Sequence, residues 1–188
     1  MSPAKRVTKE PDPASPEADR RRVLDLLDGS RARHEAAHPD VDGDAFAYFA
    51  HLSAARQLTE AFYRRALKAH RISDAEFRVV GGLRLRGKGY RTTPLELNEF
   101  VQITSAGLTR ALDRLEQAGT IERTPNPDDR RSILVGLTRE GWAFADALTR
   151  DLAAEYDKVL GKVSKRQRKA EVDLLRTVVE RLTWAVFD

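Results

Sequence analysis

The stretch from Thr93 to Thr138, TPLELNEFVQITSAGLTRALDRLEQAGTIERTPNPDDRRSILVGLT, constrains the fold more than any other part of the chain. Thr93-Pro94-Leu95-Glu96 is a helix-start signal. The threonine can cap, Pro94 takes the first helical position where its missing N–H costs nothing, and Glu96 closes a capping box. This short helix is predicted to end near Gln102. Thr104 can cap a second helix, which runs to Ala118 and stops at Gly119, a residue suited to a left-handed helix end. Leu108, Ala111, Leu112, Leu115 and Ala118 form its apolar stripe, which leaves Ser105, Gly107, Arg110, Asp113, Arg114 and Gln117 largely on other faces. Ile121-Glu122-Arg123 and Ile133 to Leu137 then read as short strands around TPNPDDRR, a connection rich in turn formers. Two helices joined by a tight turn around Ile103, then a hairpin, are the layout of a winged helix-turn-helix. The predicted class is mainly α with a small β-hairpin wing.

The polar residues of this stretch point to double-stranded DNA. Ser105, Thr109 and Arg110 lie where a helix entering the major groove presents side chains to base edges, with Arg114 one turn further on. An arginine can donate two hydrogen bonds to guanine. The helix start at Thr104 and Ser105 offers backbone N–H groups to a phosphate. At the hairpin tip, Arg130 and Arg131 follow Asp128 and Asp129. A protruding arginine beside a helix-turn-helix has the position of a minor-groove probe, and Asp129 is expected to hold its guanidinium in a bidentate pair. Arg123, on the strand leading in, is expected to contact phosphate.

The remaining chain frames this unit. Residues 1–16 are rich in Pro, Ser, Lys and Glu without apolar periodicity, which predicts a disordered tail carrying Lys5, Arg6 and Lys9. Residues 17–44 are expected to form an N-terminal extension with a short extra helix, over about Glu17 to His38. A long amphipathic helix follows over 45–70, with Phe46, Phe49, Leu52, Leu58, Phe62 and Ala66 near helical spacing. Ser73 to Glu76 is another capping box, so the DNA-binding lobe is placed at 71–138. Thr138 and the box Ser164 to Gln167 start two further helices within 139–188, which close on Trp184-Ala185-Val186-Phe187. The 188 residues are 41% hydrophobic and 33% charged, with net charge +4, a balance compatible with a polyanionic partner without establishing one. The absence of cysteine excludes disulfides, thiolate zinc sites and a thiol-based oxidant sensor. No apolar run suits a signal peptide or a membrane span, so a cytoplasmic protein with no membrane partner is expected.

From about Ala45 to Phe187 the chain resembles the MarR family of bacterial transcription regulators. The match centres on LTRALDRLEQAGTIERTPNPDDRRSILVGLT, with the wing pattern Asp129-Arg130-Arg131-Ser132 through Leu137-Thr138. The resemblance implies an obligate homodimer built mainly from the first and last helices, and hence a palindromic operator. It also implies repression released by a small molecule bound between the dimerisation helices and the DNA-binding lobe. Phe49, His51, Leu52, Arg56, Phe77 and Arg78 are the candidate ligand contacts. Urate-responsive members carry a tryptophan and an acidic residue where Arg31 and Arg78 register here, which disfavours urate and suits an anionic effector such as an aromatic carboxylate or acyl thioester.

Other readings are weaker. His34 and His38, four apart with Glu35 beside them, lack the further ligands a metal site needs. No cofactor is called for. GLRLRGKGY lacks the order and context of a phosphate loop, and no nucleophile motif appears, so no enzyme is expected. The alternative is a constitutive architectural or protein-binding winged helix without effector.

Overall fold

The hydroxyls of Ser73, Thr93, Thr104 and Thr138 each start a helix by accepting a hydrogen bond from the backbone N–H three residues on. In the computed structural model, which describes residues 16–129 and 131–187, the chain runs α1 (Pro16–Asp28), α2 (Ser30–Ala37), α3 (Gly43–Lys68), α4 (Asp74–Leu85), β1 (Arg91–Thr92), α5 (Pro94–Val101), α6 (Ser105–Gln117), β2 (Ile121–Pro125), β3 (Ile133–Leu137), α7 (Arg139–Leu160) and α8 (Lys165–Phe187). The fold is mainly helical with one small antiparallel sheet. Two compact units divide it, Met1–Phe62 and Tyr63–Asp188, and α3 crosses the boundary.

Within Tyr63–Asp188 an apolar core joins α4, α5, α6 and the sheet. Val79, Val80 and Leu83 of α4 meet Leu97 and Val101 of α5, the Leu108, Ala111, Leu112 and Leu115 stripe of α6, and Ile121 and Val135 of the strands. Burying such a stripe, at roughly 1.5–3 kcal/mol per large side chain, fixes which face of α6 is left for solvent. Ala118, expected to extend the stripe, is exposed, because α6 ends at Gln117 and the chain turns out through Gly119 at φ 69°. A second cluster sets Leu67 of α3 against Leu148 and Leu152 of α7.

The sheet has three strands in the order β1-β3-β2, where the sequence indicated only a hairpin. Ile121 pairs with Leu137 and Pro125 with Ile133, while Arg91 and Thr92 of β1 add to the far edge of β3 opposite Gly136 and Val135. A side chain at Gly136 would press on the Arg91 stem and the Tyr90 carbonyl, so the glycine lets β1 close onto the sheet.

In Met1–Phe62 the single extra helix expected over 17–38 is two, α1 and α2, separated at Gly29. Gly29 has φ −82° and ψ −6° and receives no side-chain cap. An uncapped glycine is a poor helix former, which accounts for the interruption. The predicted tail, with Lys5, Arg6 and Lys9, lies outside the described residues except for Pro16, the first residue of α1. Among the described residues no helix is long and apolar enough to cross a membrane.

Candidate nucleic-acid interface

The turn between α5 and α6 is built by local polar chemistry. Gln102 adopts the left-handed conformation at φ 50°, its N–H donates to the Asn98 carbonyl, and the Asn98 side chain accepts from Ile103 N–H at 3.3 Å. Thr104 then caps α6, its Oγ1 accepting from Gly107 N–H at 3.1 Å. With the apolar stripe turned inward, Ser105, Thr109, Arg110 and Arg114 are all exposed. Thr109 Oγ1 donates to the Ser105 carbonyl at 3.0 Å, and Arg110 Nε donates to the Ala106 carbonyl at 3.2 Å, so both side chains lie back along the first turns of α6. Arg114 forms no ion pair among the described residues.

The wing tip between β2 and β3 is held by its own side chains. Asn126 Nδ2 donates to Ser132 Oγ at 2.8 Å, and Asn126 Oδ1 accepts from Asp128 N–H at 3.0 Å. Asp129 Oδ1 accepts from the backbone N–H of Arg131 at 3.0 Å, and its carbonyl accepts from Ser132. These are Asx-type turns, in which a short polar side chain replaces a backbone partner. Asp129 therefore orders the backbone that carries Arg131, in contrast to the expected carboxylate–guanidinium pair. Arg131 itself is exposed and without an ion pair among the described residues. Arg130 lies outside the described residues.

Arg123 is placed differently from an open cationic contact. Its guanidinium donates to Glu116 Oε2 and Asp113 Oδ1, each at 2.7 Å, and so ties β2 to α6. Sequence reasoning also missed Arg91, which reaches across β3 to Glu122 on β2 at 2.6 Å. A two-residue strand carries too little alternation to announce itself. Also missed was Arg84 on α4, whose guanidinium pairs with Asp146 at 2.7 Å and lies 4.9 Å over the Trp142 ring, joining α4 to α7. Thr138 completes the frame: its hydroxyl donates to the Gly119 carbonyl at 2.6 Å while accepting from Gly141 N–H at 2.9 Å.

The candidate ligand residues are already engaged locally. On α3, Phe49 is exposed and meets Tyr48 edge-on, His51 Nδ1 lies 2.7 Å from the Ala47 carbonyl, Leu52 is half-buried, and Arg56 pairs with Glu60 at 2.5 Å. On α4, Phe77 stacks on Tyr63 with ring centroids 5.4 Å apart, and Arg78 pairs with Asp74 at 2.8 Å. Arg31 is held by Glu35 at 2.8 Å and Asp44 at 3.2 Å, and the hydrogen bond it donates to Glu35, then the Asp44 charge, keep its pKa above the ordinary value. A cavity of about 270 Å³ lined by Ala66, His70, Asp151, Leu152 and Glu155 includes none of the six candidates. His34 stacks on Phe46 at 4.1 Å, and no cluster of three metal-ligating side chains occurs among the described residues.

Known proteins resemble both sequence and fold. The MarR family model matches residues 72–133, which span α4 to the start of β3. The transcriptional regulator PecS of Dickeya dadantii is 30% identical over 144 residues, covering 77% of this chain and 87% of PecS. The multiple antibiotic resistance protein MarR of Escherichia coli is 40% identical over 75 residues, 40% of this chain and 50% of that protein. A mutant MarR from Escherichia coli, crystallised with operator DNA, superposes with a TM-score of 0.62 at 26% identity over 74% of this chain and 98% of that one. An outward polar helix, a self-ordered arginine-bearing wing and this extent of likeness lead to one conclusion. The chain belongs to the MarR family of winged-helix transcriptional regulators, DNA-binding proteins and not enzymes.

Proposed function

We propose that the protein is a cytoplasmic homodimeric repressor that holds a palindromic operator and releases it on binding a small molecule. The observation that carries this reading is the presence of two exposed cationic elements in one compact unit: the α6 face with Ser105, Thr109, Arg110 and Arg114, and the wing tip with Arg131. In this reading α6 enters the major groove, where Arg110 reads a base and Thr104, Ser105, Thr109 and Arg114 divide base and backbone contacts. Arg131, with its neighbour Arg130, enters the minor groove beside it.

Dimerisation is supported by apolar surface with nothing over it. On α8, Val172, Leu174, Leu175, Val179, Trp184, Val186 and Phe187 are exposed, and only Val178 is buried. A helix that bares its large apolar residues in one chain marks an interface. The operator-bound mutant MarR supports the choice of duplex DNA as partner. The effector contacts proposed on α3 are Phe49, His51, Leu52 and Arg56, and those proposed on α4 are Phe77 and Arg78. The effector acts by favouring a dimer whose recognition helices no longer match the groove spacing, which requires different affinities for the two states. Since Arg31 and Arg78 are paired with carboxylates, an anionic effector must displace them.

Selection of duplexes from a random pool by the purified protein tests the reading. The expected product is an inverted repeat with half-sites about 10 bp apart, centre to centre. Recovery of no enriched sequence would replace the operator reading with that of a constitutive architectural module. Melting with a panel of aromatic carboxylates and acyl thioesters tests the effector: a raised Tm is expected from at least one, and none from any anionic compound would overturn the anionic choice.

A further inference from the structure

Arg123 stands on β2 with its guanidinium turned to the recognition helix. Nη2 donates to Asp113 and Nη1 to Glu116, both at 2.7 Å. Its Nε is buried without a hydrogen-bond partner among the described residues, and only 24% of the side chain is exposed. Asp113 and Glu116 lie one turn apart on α6, the helix that also carries Ser105, Thr109, Arg110 and Arg114. Carboxylates on a helix approaching a polyanion oppose it unless something neutralises them. A planar guanidinium serves two carboxylates at once through a preorganised fork of donors, which the flexible stem and point charge of an ammonium do not supply. A phosphate would have to displace both carboxylates to reach Arg123.

We propose that Arg123 is a positioning residue for DNA binding: it clamps α6 to the wing and acts as the internal counter-ion of Asp113 and Glu116, without itself touching phosphate. This rests on the reading that α6 and the wing meet the duplex. The role separates cleanly from that of Arg131. One arginine prepares the helix from behind, and the other is free to meet the nucleic acid. It also gives the recognition helix a reason to carry two acidic residues on a lobe built for an acidic partner: they are the anchor points of the wing.

The test titrates full-length protein against the duplex selected by the wild type, over a series of salt concentrations. The variants are Arg123→Ala, Arg123→Lys, and Arg123→Ala combined with Asp113→Asn and Glu116→Gln, each checked by thermal melting. Arg123→Ala is expected to weaken binding about tenfold, the loss of a charge-assisted contact expressed as affinity, while the slope of log K against log salt stays at the wild-type value. Arg123→Lys, which reaches one carboxylate, falls between, and the triple variant recovers most of the loss because the unpaired carboxylates are gone. A slope reduced by about 0.9, with Arg123→Lys binding like wild type and no recovery in the triple variant, makes Arg123 a direct phosphate ligand and overturns the proposal. Wild-type binding by Arg123→Ala overturns it as well. Should Arg123→Ala not fold, Arg123→Lys and the triple variant decide by the same criteria. Failure of the wild type to bind any duplex would remove the underlying reading before a variant is compared.

Discussion

Arg110 and Arg131 differ in what holds them, and the difference sets what each substitution does. Arg131 rides on a tip ordered by Asp129 and Asn126, with its side chain in solvent, so Arg131→Ala should weaken binding to most sequences and lower the salt slope by about 0.9. Arg110 lies along α6 through its bond to the Ala106 carbonyl, so Arg110→Ala should relax choice at one base position in each half-site, by roughly 1–3 kcal/mol of discrimination. Titration of both variants against single-base operator changes separates the two outcomes. Gly141 makes a prediction about folding: a Cβ there would run into the Thr120 carbonyl, so Gly141→Ala should lower stability by about 3 kcal/mol in chemical denaturation. At this scale the sequence reveals exposure well, because helical spacing alone puts Thr109 and Arg110 outside the apolar stripe. It reveals pairing poorly. Asp129 beside two arginines suggested an ion pair; toward Arg131 it makes a bond to the backbone N–H instead, and Arg130 lies outside the described residues. Arg123 was expected to contact phosphate, and its carboxylate partners went unseen because they lie on another element, seven and ten residues back.

Among the elements, helix starts were the most legible, since a capping box is complete within four residues. All three boxes, Ser73 with Glu76, Thr93 with Glu96 and Ser164 with Gln167, form as expected. The second makes α5 sensitive to acid. Hydrogen bonds from the Thr92 hydroxyl, then the Thr93 backbone N–H, hold the Glu96 carboxyl below the usual carboxylate range. The unfolded chain therefore takes up the proton first. The stability contributed by Glu96 is present in full above the unfolded pKa and is lost as pH falls through the lower folded one. Denaturation between pH 6 and about 3 should show the wild type losing more stability than Glu96→Gln, and parallel profiles would show that the box contributes nothing. Elements without local signals were the ones missed. β1 exists because β3 offers it an edge, and Gly29 divides α1 from α2 without a cap to mark the place.

For the whole molecule, operator binding as proposed needs two copies of the chain on one duplex. The exposed row on α8 from Val172 to Phe187 is too apolar to be left in water. Leu175→Glu with Val179→Glu should therefore shift the free protein from twice the 21.2 kDa chain mass toward a single chain in light scattering, and weaken operator binding with it. Which compound releases the operator was not legible, because effector recognition depends on how separate helices gather and not on any one run of residues. The central claim is most directly tested by sedimentation of the full-length protein with a fluorescent copy of its selected duplex at low salt. Two chains per duplex, dissociating as salt is raised, is the result this account predicts. A lone chain that leaves the duplex sedimenting as free DNA would contradict it.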